Sequence, residues 1–209
     1  MTSTSYLAID NSSVANFKAW GGAISTALDD AGWTRDYAYS SNQASPGTDF
    51  DWDDINAVPS AADSTYEIWI MGDALQATMP FFVRIDYWYD NGTFLRFTIG
   101  NARSTATLLA GINGVTTEDF NAFVSNDFVM YDFEGLGRKH ACFFSGSSSS
   151  FRMGLFLDVR SPSYSNAAYF AFERSTDNCG DDTSDFVTFI AMNVNAGSQQ
   201  FSIGNKRKG

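Results

Sequence analysis

His140 and Cys142 are the residues best placed to act as a nucleophilic pair. They stand two positions apart on a stretch that reads as a strand, which puts both on one face. A working thiol–imidazole dyad also needs a third group to orient the ring and a cleft open to substrate. The sequence shows neither, and the expectation is a packed histidine beside a buried cysteine. Cys179 is the second of two cysteines and His140 the single histidine, and their spacing has no zinc pattern.

Carboxylates are the other reactive supply. Asp49, Asp51, Asp53 and Asp54 open like a calcium loop, with acids at alternate positions. The sixth position holds Asp54 where an EF-hand needs Gly, and the twelfth holds Ser60 where it needs Glu, so an EF-hand is excluded. Asp177, Asp181, Asp182 and Asp185 crowd a second acidic segment. Such clusters repel unless a cation answers them, and Arg174 is expected to clamp this one. A solvated or internally paired acidic loop is preferred to calcium in both places. Carboxylate pairs for sugar hydrolysis stay open as an alternative, because separations cannot be read from sequence. There is no G-x-S-x-G elbow, no phosphate-binding G-x-x-x-x-G-K-[ST] and no dinucleotide G-x-G-x-x-G. The expectation is a chain with no catalytic residue, no metal and no cofactor.

The elements that carry these residues are mostly strands. One helix is expected over 13–31: Ser12 and Ser13 offer N-caps, and Phe17, Trp20, Ile24, Leu28 and Ala31 recur at near-helical spacing. Gly32 suits the left-handed position that ends it, with Trp33 packing back. Gly21 and Gly22 interrupt the run, so they either kink the helix or admit a close neighbour. Residues 34–63 read as an irregular arm carrying Phe50, Trp52 and Ile55. Residues 66–89 read as strand, turn-like insert, strand, and Asp90-Asn91-Gly92 then signals a type I′ hairpin leading to Leu95, Phe97 and Ile99. Thr117 to Phe120 could open a short helix. Strands are expected at 128–133 and 139–145, and Phe151, Met153, Leu155, Leu157 and Val159 alternate as the inward face of another. The strand of Ala168, Phe170 and Phe172 should pair with that of Phe186, Thr188, Ile190, Met192 and Val194, and Ser147–Ser150 should be a flexible turn. Many strands between turn signals define a mainly β chain, an antiparallel sandwich or barrel-like domain with one N-terminal helix.

Bulk composition sets the remaining limits. The 209 residues suit a single domain, 1–209, with a core large enough to need no disulfide. Aromatic residues make up 16% and charged residues only 18%, which leaves surface for a partner or for Ser, Thr and Asn to solvate. Net charge is −11, and the last residues, Lys206, Arg207 and Lys208, form a basic tail at 205–209. Setting those three aside leaves ten basic against 24 acidic residues, a body of −14. Such a body repels DNA and anionic membranes, so neither is an expected partner of the globular part. The N-terminus has no charged-then-apolar signal design, and no apolar run approaches the length of a membrane span.

Three blocks carry a likeness to a known class. FKAWGGAISTALDDAGWTR (17–35), YEIWIMGDALQATMPFFVRIDY (66–87) and FAFERSTDNCGDDTSDF (170–186) resemble, in this order, segments of virion structural proteins of tailed bacteriophages. The resemblance implies a non-enzymatic virion component made in the host cytoplasm, in tail or baseplate, with capsid decoration as the alternative. A glycan-binding or glycan-degrading tail-tip protein is a further alternative, with Trp52, Trp69 or Trp88 as stacking platforms. The implied partners are other virion proteins and further copies of the chain. Contact is expected through Phe50, Trp52 and Ile55 of the arm, Trp88 of the long aromatic strand, and the basic Lys206, Arg207 and Lys208. No functional residue carries over from the class.

Overall fold

The computed structural model describes residues 2–8, 12–44, 50–78, 80–89, 93–100, 102–103, 115–116, 128–131, 140–157, 167–176, 179, 182–195 and 198–207. A strand, β1 (Thr2–Ala8), precedes the helix α1 (Val14–Asp30). Then follow β2 (Thr34–Ser40), β3 (Thr65–Ile70), β4 (Phe82–Tyr89) and β5 (Thr93–Gly100). Short strands β6 (Ala102–Arg103), β7 (Val115–Thr116) and β8 (Phe128–Tyr131) come next. The second half is β9 (His140–Ser147), β10 (Ser150–Leu157), β11 (Ala167–Thr176), β12 (Asp182–Asn195) and β13 (Ser198–Arg207).

These strands form two large sheets, antiparallel throughout. The first runs β1-β9-β10-β11-β12-β13 and the second β2-β3-β4-β5-β8, with β6 and β7 as a separate pair. One apolar cluster joins helix and sheets. It takes Phe17, Trp20, Ile24 and Leu28 from α1, Trp69, Val83, Ile85 and Tyr87 from the second sheet, and Phe144, Phe151, Met153, Phe170 and Phe172 from the first. The chain is therefore mainly β, sandwich-like, with one N-terminal helix, as the alternation of its strands predicts. The pairing of β11 with β12 is also as read, with Phe172 opposite Phe189 and Phe170 opposite Ala191.

The helix ends follow local chemistry. Ser13 caps the start by accepting from the Asn16 amide at 3.2 Å. At the other end Gly32 takes φ +90°, its amide donates to Asp29 O, and the Trp33 amide donates to Leu28 O at 3.0 Å. That double bond pattern is a Schellman motif, which glycine permits because it lacks a Cβ.

Two expectations are corrected here. The segment 34–63 is no detached arm: it opens with β2 and returns through a 3₁₀ turn at Trp52–Asp54 whose tryptophan packs on α1. A Cβ at Gly21 would collide with the Trp52 ring, so the glycine is there to admit a side chain rather than a backbone. The Ser147–Ser150 turn is pinned, not flexible. Trp33 Nε1 donates to the carbonyls of Ser147 at 3.0 Å and Ser150 at 3.2 Å, Gly72 N to Ser148 O, and Arg174 N to Ser149 O. The Asn91-Gly92 turn, the segment at 117–120 and Val159 lie outside the described residues.

Candidate functional site

The densest polar constellation centres on Glu67 of β3, a carboxylate with 0% exposure. Its Oε1 accepts from Ser25 Oγ at 2.9 Å, Arg35 Nη1 at 3.2 Å and Trp52 Nε1 at 3.2 Å. Its Oε2 accepts from Tyr87 Oη at 2.8 Å and Trp69 Nε1 at 3.3 Å. Burial and the neighbouring Glu67 charge push the Tyr87 hydroxyl well above its ordinary pKa, so it stays a donor. Donors from α1, β2, β3, β4 and the 3₁₀ turn thus converge on one carboxylate. Every oxygen is satisfied and none meets solvent, an arrangement that fastens elements together.

On the opposite face of β3, Tyr66 lies under the Arg84 guanidinium, 3.8 Å from the ring centre, with Tyr37 and Tyr39 beside it. Arg84 Nε is 3.0 Å from both oxygens of Asp86. Tyr66 is itself fully buried and its hydroxyl finds no hydrogen-bond partner among the described residues. Burial pushes its pKa up to about 12, the Arg84 charge pulling the other way.

The outer face of the first sheet differs from both. Phe143 of β9 is 50% exposed, the one large apolar side chain so exposed among the described residues. Gly154 of β10 stands opposite it and Tyr169 of β11 opposite Gly154, so Tyr169, half-buried, shares its face. Beside them Arg152 and Glu173 form an ion pair at 2.6 Å, with side chains 35% and 46% exposed.

The residues singled out from sequence fall as follows. Phe50, Trp52 and Ile55 are 2%, 6% and 2% exposed and belong to the chain's own core, which corrects the expectation that they meet a partner. Each ring there has neighbours within the chain, Phe50 against Trp52 and Trp52 against Tyr87. Trp52 and Trp69 are likewise closed to a sugar. Trp88 keeps part of its surface in solvent on β4. Lys206 and Arg207 belong to β13, opposite Val187 and Phe186, so 205–207 is strand rather than tail; Lys208 lies outside the described residues. Arg174, expected to clamp 177–185, pairs with Asp73 among the described residues, while 177–178 and 180–181 lie outside them. Its side chain is fully buried, with Nε 2.8 Å from Asp73 Oδ2 and Nη2 3.2 Å from Asp73 Oδ1. The inward side of β11 aims it at the connection between β3 and β4.

His140 and Cys142 both lie on β9, two positions apart. Asp51 caps the 3₁₀ turn by accepting from the Asp53 amide at 3.1 Å. Asp182 and Asp185 stand on β12, while Asp49, Asp177 and Asp181 lie outside the described residues. Among the described residues, no three His, Cys, Asp or Glu side chains gather as metal ligands, and no helix is long and apolar enough to cross a membrane. Glu67 escaped the sequence reading, although a lone acid inside the strand Tyr-Glu-Ile-Trp-Ile is its signal: a buried carboxylate demands donors.

The fold thus defines a sandwich-like antiparallel protein with an enclosed polar hub and, among the described residues, one well-exposed aromatic side chain, Phe143. Comparison with family models, curated proteins and solved structures finds no match.

Proposed function

We propose that this chain is a non-enzymatic structural component of a tailed-phage virion, in tail or baseplate, that works by surface contact. One observation carries the contact role: Phe143, half in solvent on a sheet face beside Tyr169, is the kind of aromatic anchor that interfaces bury. The Glu67 hub supports the non-enzymatic part, since its best-formed carboxylate is enclosed and its acceptor sites are already taken. The virion itself rests on the three blocks at 17–35, 66–87 and 170–186. Antibody labelling of purified particles under the electron microscope tests the reading. Label at the tail or baseplate is the expected result. Particles that form fully and carry none of the protein would end it.

A further inference from the structure

We draw no further inference here: the strongest candidate, the surface patch of Tyr37, Tyr39 and Phe82 packed against buried Tyr66 and Ile68 on the second sheet, apart from the shared core, is a partly exposed apolar face, and nothing in the structure shows what covers it.

Discussion

Tyr66 and Tyr87 are both buried tyrosines that differ in outcome because, among the described residues, one hydroxyl is paired and the other is not. Tyr87 Oη donates a hydrogen bond to Glu67 at 2.8 Å, while Tyr66 Oη is buried with no partner among the described residues. Tyr87→Phe removes a bond to a charged acceptor and should cost about 1.5–3 kcal/mol. Tyr66→Phe removes a hydroxyl that was desolvated without compensation and should be neutral or stabilising by up to about 1 kcal/mol. Urea unfolding of the two variants checks the contrast. Both groups titrate higher in the folded protein, Tyr66 at about 12 against 10.0 and Tyr87 higher in the same direction. A folded-state pKa above the unfolded value adds stability that is full below the unfolded pKa and lost as pH rises through the folded one. Stability should therefore be flat with respect to these groups up to about pH 10 and fall above it, the Tyr66 part being lost between about 10 and 12. Tyr66→Phe should blunt that fall; an identical alkaline limb in the variant counts against the assignment. The hub itself was not legible in sequence, because its donors come from positions 25, 35, 52, 69 and 87, and only folding brings them to one carboxylate.

Adjacent glycines in α1 show how an element answers to its neighbours. By intrinsic propensity, alanine at either Gly21 or Gly22 should gain about 1 kcal/mol. A Cβ at Gly21, however, would enter the Trp52 ring, whereas one at Gly22 would sit 3.7 Å from Trp52 Cβ, an ordinary contact. Gly22→Ala should therefore stabilise by close to the full propensity term, and Gly21→Ala should destabilise by about 1–3 kcal/mol through overpacking. Thermal unfolding of the pair measures the difference, and similar melting temperatures would refute the role given to Trp52. The helix and its caps were legible because Ser13, the apolar spacing and Gly32 are all local signals. The strands were legible for the same reason: Val83, Ile85 and Tyr87 alternate, and so do Phe151 and Met153. The 34–63 segment was misread because its order comes from distance. Phe50, Trp52 and Ile55 have no periodicity of their own, and they are fixed by α1, β3 and β4.

At the scale of the whole molecule, the two sheets are stitched at one end by polar contacts as well as by the shared core. Arg174 of the first sheet reaches Asp73 in the connection between β3 and β4 of the second, with side chains 0% and 9% exposed. Around it, Gly72 N donates to Ser148 O and the Trp33 indole bridges two carbonyls of the same serine turn. The cation was expected to answer the nearby acids of its own connection, and the long-range partner was hidden by a separation of 101 positions. A buried pair of this kind gives little net stability over an apolar pair, but breaking it strands the remaining charge. Arg174→Ala leaves Asp73 without its counter-charge and should cost about 3–5 kcal/mol. Arg174→Met combined with Asp73→Leu removes both charges, so it should escape most of that loss. It still forfeits the cap that Asp73 gives the Gln76 amide at 3.1 Å, a cost of about 1 kcal/mol. Urea titrations followed by near- and far-ultraviolet circular dichroism measure both variants and test whether the two signals move together. An Arg174→Ala protein that loses less than about 1 kcal/mol, or a double variant that loses as much as the single, means that the sheets are held by their apolar core alone.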